Sequence, residues 1–217
     1  ISGMGGSAIG GDLVTAYASP MCPVPIQVNR DYDIPGWVFG EETLVIASSH
    51  SGNTEETLSV FQQALDKKCR IITVSTGGKL AELAKENNQT AWIFQHNGMP
   101  RAAVGFSFGL LLAILTRLDL VPDQDEAITT AVNLMKEQQA LLEPQVPTNQ
   151  NYAKQIAERL YGNWVSVFAS GSISPVSRRW KGQINELAKA WAQFDFLPEG
   201  DHNTLAGTKE PVELLKK

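Results

Sequence analysis

A glycine-rich segment near the start of the chain has the residue types of an anion-binding loop. Residues 3–12 have the sequence GMGGSAIGGD and lead into a helical pattern of apolar residues. Glycines let the backbone turn tightly, and the N–H groups at a helix N-terminus converge with the positive end of the helix dipole. We therefore predict an anion cradle that includes Gly5, Gly6 and Ser7. A tight turn that only packs the helix against a sheet is the alternative.

A dinucleotide site is a second alternative for the same loop. That site requires the pattern GxGxxG and an acidic residue at the end of the next strand. Asp31 could supply the acid, but Ala8 occupies the position of the third glycine and the loop carries a serine. The dinucleotide interpretation is therefore the weaker one.

A hydroxyl-rich loop follows the apolar run at residues 44–47. Residues 48–54 have the sequence SSHSGNT and precede another helical pattern. Open α/β sheets bind ligands at the carboxyl ends of their strands, and hydroxyls with backbone amides suit a phosphate monoester. We predict that Ser49, Ser51 and Thr54 bind phosphate, because a helix cap alone needs one such residue. The ATPase pattern GxxxxGK[ST] is absent, and His50 is expected to form a wall of this site rather than to act in catalysis.

The elements that position these loops alternate between short apolar runs and helical patterns. Apolar runs at 26–29, 44–47, 70–74 and 90–94 predict strands, and the segments between them predict helices. This alternation indicates βαβ units, hence an α/β fold with a doubly wound parallel sheet. Asn53 and Glu56 have the spacing of an N-cap and its capping-box partner.

The later part of the chain predicts further helices and one more strand–helix unit. Residues 101–120 form a helical pattern that is apolar on most of its circumference, which suggests packing between two domains or two subunits. We divide the chain into a first domain (1–122), a helical linker (123–150) and a second domain (151–217). In the second domain we expect a helix to about residue 161, a strand at 164–168 and a helix at 175–191. The second domain is too short for a full α/β unit and is expected to be incomplete, as is the start of the chain.

Composition excludes several classes of function. The net charge is −5, which argues against nucleic-acid binding, and no apolar segment is long and uncharged enough to span a bilayer. Cys22 and Cys69 form no metal-binding or disulfide motif, and the three histidines are scattered. We therefore expect no metal, no membrane partner and a cytoplasmic location.

Taken together, these motifs resemble the sugar isomerase (SIS) domain, and their combination is similar to the bifunctional phosphoglucose/phosphomannose isomerases. The resemblance covers nearly the whole chain. It rests on the segments GMGGSAIGGD (3–12), DYDIP (31–35), SHSGNTEET (49–57), TGGKL (76–80), PRAAVGFSFG (100–109), RRWKGQINELAK (178–189) and DHN (201–203).

The resemblance implies two SIS-type domains and a role for each matched residue. Ser7 and the hydroxyls of the 48–54 loop would hold the phosphate of a hexose 6-phosphate. Glu186 would move the proton between C1 and C2, Arg101 would stabilise the enediolate, and His202 would help to open the sugar ring from the partner subunit of a homodimer. The reaction, which is shared by glycolysis and gluconeogenesis, needs no cofactor. It requires one carboxylate base and a cation at the oxygen that gains charge.

From the residues alone, these assignments are weaker. Glu186 has the pattern of a solvated helix residue near Lys189, and His202 that of a surface histidine. Arg101 is better supported, because a cation at the start of a buried helix opposes the helix dipole.

Two other functions stay open. A phosphosugar-binding regulatory module would keep the serine loops without catalysis, although it need not keep Glu186 and Arg101. A glucosamine-phosphate synthase half would call for a glutaminase domain, which we do not find. The chain also departs from the family pattern: His50 stands where we expect tyrosine, and Thr204 where we expect glutamate.

Overall fold

A computed structural model, which describes residues 1–215, shows an α/β fold built on a parallel sheet. Strands β1 (Leu44–Ser48), β2 (Arg70–Ser75) and β3 (Thr90–Ile93) lie side by side in that order, with α2 (Glu55–Asp66) and α3 (Gly78–Glu86) as their crossovers. Ser2 adds parallel bridges to Asn29 and to Ala47 of β1. The sheet therefore has three strands, extended beyond β1 only by these isolated bridges, and it has helices on both faces, as the sequence predicts for a doubly wound sheet.

The central strands are mostly apolar because both faces of the sheet are covered. Val45 and Ile71 pack into one core with α2 and α3. Ile46 and Val74 point to the opposite face and pack with α1 (Gly5–Ala18) and α4 (Val104–Arg117). Successive side chains of a strand point to opposite faces, so a continuous apolar run fills two cores at once.

Helices α1 and α4 pack closely against each other. A Cβ added to Gly10 of α1 would lie 2.4 Å from Cβ of Ser107 of α4, so only glycine allows this approach. The helix predicted from residue 101 begins instead with a 3-10 turn, Pro100–Ala102, and α4 ends at Arg117.

A second, two-stranded parallel sheet pairs β4 (Val165–Ser170) with β5 (Ala192–Leu197). Helix α7 (Ser174–Gln183) joins the two strands and packs on both. It continues into a π-helical turn, Ile184–Ala188, and Lys189 then takes a left-handed conformation. The helix predicted for 175–191 thus ends early, because β5 begins at Ala192, a strand that the sequence did not predict.

The remaining elements lie around these two sheets. Helix α5 (Asp125–Leu142) has no buried residue, and Asn151 caps α6 (Tyr152–Leu160) by accepting a hydrogen bond from the N–H of Lys154 at 3.1 Å. Among residues 1–215, no helix combines the length and the apolar character needed to cross a bilayer. The other elements around the two sheets are α8 (Glu199–His202), α9 (Val212–Leu215) and the 3-10 segments Thr148–Gln150, Gly171–Ile173 and Thr204–Lys209.

Two local predictions were wrong. The predicted strand at 26–29 contributes only the single bridge at Asn29. The N-cap of α2 is Thr54 rather than Asn53, and it makes no side-chain cap hydrogen bond. The domain boundaries at residues 122 and 150 stay predictions.

Candidate active site

The glycine-rich loop lies at the carboxyl end of the first sheet, where α1 begins. A Cβ on Gly3 would lie 2.7 Å from the carbonyl oxygen of Ser48, and one on Gly6 would lie 3.2 Å from that of Pro100. The loop is therefore wedged between the end of β1 and the 3-10 turn that carries Arg101. The first N–H groups of a helix have no partner within it, so Gly5 and Gly6 bring free donors to this point. Ser7, on the first turn of α1, is buried beside them.

The hydroxyl-rich loop lies next to it, at the carboxyl end of β1. The hydroxyls of Ser49 and Thr54 are 2.8 Å apart, and the N–H of Gly52 donates to Oγ of Ser49 at 3.1 Å. The N–H of Asn53 donates to Oγ of Ser51 at 3.2 Å. The loop is therefore held in one conformation by its own hydroxyls, as expected of a preformed phosphate site.

A close contact with the next loop of the sheet also fixes this conformation. Gly52 has a φ of +69°, and a Cβ there would lie 1.9 Å from the carbonyl oxygen of Gly77. Oδ1 of Asn53 accepts a hydrogen bond from the N–H of Lys79 at 3.0 Å. The Asn53 side chain thus accepts from the N-terminus of α3 and not from that of α2, because the loop lies across the start of α3.

Arg101 and Glu186 meet at the boundary between the two sheets. Nη1 of Arg101 lies 3.9 Å from Oε2 of Glu186, and the Glu186 side chain is 52% exposed. Glu186 stands on the π-helical turn, a conformation that is frequent at functional sites. The ammonium of Lys189 donates to the backbone carbonyl of Glu186 at 2.6 Å, so the expected weak pair between their side chains is absent.

Arg179 adds a second guanidinium beside this pair. Its Nη2 donates to the backbone carbonyl of Arg101. Burial lowers the pKa of Arg179, and the nearby Glu186 carboxylate partly raises it again. Two guanidinium groups, those of Arg101 and Arg179, therefore lie near the carboxylate of Glu186.

His202 lies apart from these residues. It stands on the short helix α8, and its side chain is exposed. Within residues 1–215, no hydrogen bond, ion pair or ring contact joins His202 to Arg101, Glu186 or the hydroxyl-rich loop. Its role stays a prediction.

His50 forms a ring cluster on the edge of the hydroxyl-rich loop. Its Nε2 lies 2.9 Å from Nδ1 of His96, and both rings pack near Phe94 or Phe106. Burial lowers the pKa of His50, and the charge of His96 lowers it further. The sequence reasoning placed His50 in a wall but did not foresee His96, whose only signal was its position just after a predicted strand.

Sequence reasoning also missed an ionic cluster behind the site. Oδ2 of Asp12 on α1 accepts hydrogen bonds from Arg178 of α7, at 2.9 Å, and from Arg30. Asp12 and Arg178 belong to motifs noted in the sequence, but nothing in the chain indicated that they meet.

Comparison with known proteins gives relatives for nearly the whole chain. Residues 149–217 match the family described as "Bacterial phospho-glucose isomerase C-terminal SIS domain". The chain is 40% identical over 216 residues to a bifunctional phosphoglucose/phosphomannose isomerase of Caldicellulosiruptor bescii, covering 99% of this chain and 63% of that protein. It is 34% identical to the protein of the same name from Aquifex aeolicus, with the same two coverages. The chain thus spans just under two thirds of the length of these relatives.

Solved structures support the fold. A putative phosphosugar isomerase from Clostridium difficile superposes with a TM-score of 0.71 at 15% identity, over 99% of this chain and 67% of that one. At this identity the likeness shows the architecture alone.

Proposed function

We propose, from the premise that the chain is a homologue of the bifunctional phosphoglucose/phosphomannose isomerases, that it carries the site of an aldose–ketose isomerase. The substrates would be glucose 6-phosphate and mannose 6-phosphate, each interconverted with fructose 6-phosphate. The observation that carries the proposal is the pairing of Arg101 with Glu186 at 3.9 Å beside the two candidate phosphate loops.

The phosphate would bind where the two loops meet. The hydroxyls of Ser7, Ser49, Ser51 and Thr54 would donate to its oxygens, together with the N–H groups of Gly5 and Gly6 at the start of α1. Hydrogen bonds to a charged group contribute about 1.5–3 kcal/mol each. They compensate for the lack of a lysine in either loop and for the overall negative charge of the chain.

The proton transfer would use the carboxylate of Glu186. In the open-chain aldose, this base removes the proton from C2, and the enediolate that forms is reprotonated at C1 to give the ketose. Negative charge develops on the carbonyl oxygen, and the guanidinium of Arg101 would stabilise it there. The proton that leaves C2 is returned at C1, and the hydroxyl proton on O2 passes to O1, so the reaction is balanced without a redox partner.

Ring opening and assembly form the less direct part of the proposal. His202 is exposed on α8 and, within residues 1–215, makes no hydrogen bond or ion pair with Glu186 of its own chain, which supports a role in the site of a partner subunit. We therefore include a homodimer, a cytoplasmic location and a place in the central pathways of hexose phosphates. A regulatory module that binds phosphosugars without turnover is the alternative.

The test is a proton NMR assay with fructose 6-phosphate on the full-length protein and its Glu186→Gln variant. We expect glucose and mannose 6-phosphates to form together, and the rate to fall by about 10²–10⁴-fold in the variant, the usual contribution of a general base. Glu158→Gln, at an exposed position on α6, is the control and should keep the wild-type rate. Binding without turnover in the wild type would favour the regulatory module.

A further inference from the structure

We infer that Asp12, Arg178 and Arg179 form a docking cluster that positions Glu186 against Arg101. This inference rests on the proposed function, because Glu186 is taken as the base. The three residues would be positioning residues and would not touch the substrate.

The acidic partner in the docking cluster is held firmly on the side of the first sheet. The Asp12 side chain is 15% exposed and accepts hydrogen bonds from both Arg30 and Arg178 through Oδ2. Nη2 of Arg30 also donates to the carbonyl of Ala8, one turn earlier on α1, at 3.1 Å. Arg30 therefore fixes the orientation of the carboxylate that Arg178 meets.

Arg178 is held equally well on the side of the second sheet. Its guanidinium lies over the rings of Phe194 and Phe196 of β5, 5.1 and 5.6 Å from their centroids. A guanidinium is planar, so it can stack on aromatic rings while its edge donates to a carboxylate. Arg178 thus joins α1, which packs on the first sheet, to α7 and β5 of the second sheet.

The next residue makes a second connection from the same turn of α7. Nη2 of Arg179 donates to the backbone carbonyl of Arg101 itself. Glu186 follows on the π-helical extension of α7, and its carboxylate lies close enough to Arg179 to raise the pKa of that guanidinium. The two consecutive arginines thus set the position of α7 relative to α1 and to the turn that carries Arg101.

In this arrangement, phosphate binding and the position of the base depend on different parts of the chain. All the candidate phosphate ligands lie on the loops of the first sheet, within residues 5–54, whereas Glu186 is carried by the extension of α7. Loosening the docking cluster should therefore move the base away from the substrate without changing the phosphate site. A misplacement of about 1 Å can lower a rate about 100-fold.

The experiment compares Asp12→Asn, Arg178→Gln and the double variant in the full-length protein. We expect kcat to fall about 100-fold in each single variant, with KM for fructose 6-phosphate and the Kd of inorganic phosphate within threefold of the wild type. The double variant should fall no further, because both changes break one contact. Arg159→Gln removes the same charge from an exposed position on α6 and should leave kcat unchanged.

Other results would overturn the inference. A rise in KM with unchanged kcat would show that the docking cluster does not position the base. The same conclusion would follow if the double variant lowered kcat by the product of the two single-variant reductions. If the wild type shows no isomerase activity, the proposed function fails, but docking is still tested by urea unfolding. The midpoint of the double variant should then equal that of the more affected single variant, and simple additivity would refute the contact.

Discussion

Replacing Gly52 with alanine should disrupt the hydroxyl-rich loop while leaving its chemistry in place. Gly52 has a φ of +69°, and the added Cβ would lie 1.9 Å from the carbonyl oxygen of Gly77. The left-handed conformation alone costs a residue with a side chain roughly 1–2 kcal/mol. The overlap is with backbone, which cannot rotate away as the end of a flexible side chain could.

The expected loss of phosphate affinity follows from how far the added Cβ and the carbonyl oxygen of Gly77 must move apart. Real Cβ contacts are not shorter than 3.0 Å, so the loop or Gly77 must move by at least the difference from 1.9 Å. A shift of about 1 Å breaks the usual hydrogen-bond geometry of 2.7–3.2 Å. Loss of one hydrogen bond to a phosphate oxygen, about 1.5–3 kcal/mol, corresponds to about 10- to 150-fold weaker binding.

Isothermal titration calorimetry with fructose 6-phosphate at 25 °C measures this change. Gly36→Ala is the matched control, because a Cβ there meets no atom within 4 Å and its φ is not left-handed. The control should bind as the wild type does. A Gly52→Ala protein that is folded by circular dichroism and binds within threefold of the wild type would refute the assignment of this loop to the phosphate.

Two further predictions concern packing and pH. Gly10→Ala should lower the free energy of unfolding by about 1–3 kcal/mol, because the added Cβ would lie 2.4 Å from Ser107. Urea denaturation measures this change, and an unchanged midpoint would contradict the close packing of α1 on α4. The pKa of His50 is lowered in the folded protein, first by burial and then by His96, so its NMR titration midpoint should lie below the usual value of about 6.5. As the pH falls, the unfolded chain binds the proton before the folded protein does. The stability that neutral His50 contributes is therefore present above pH 6.5 and is lost as the pH falls toward the pKa of the folded state. If a His50→Gln variant shows the same pH dependence of unfolding free energy as the wild type, His50 does not make this contribution.

Much of the first sheet could be predicted from the sequence because its signals are local. The runs at 44–47 and 70–74 are continuous and apolar, and only a strand buried on both faces accounts for them in a βαβ pattern. The hydroxyl-rich loop could be placed at the carboxyl end of its strand for the same reason, because it directly follows the run at 44–47. The strand β5 was missed because Ala192–Leu197 mixes polar and aromatic residues and directly follows a helical pattern.

Local signals led to a wrong prediction where a distant segment competed for the same side chain. Asn53 has the type and spacing of an N-cap for α2, yet its side chain accepts from the N–H of Lys79. The sequence contains the donor and the acceptor, but the choice between two helix N-termini depends on how the loops pack. That packing is set by the close approach of Gly52 and Gly77.

Residue type and periodicity act over a few positions, so they were enough to predict the α/β class, the parallel sheet and the loops suited to phosphate. Only the tertiary structure brought Arg101 to 3.9 Å from Glu186 and Asp12 to 2.9 Å from Arg178. These contacts join residues that are far apart in the chain and lie on helices and turns next to different sheets. Their geometry depends on the packing of α7 against α1, which no local pattern of residues encodes.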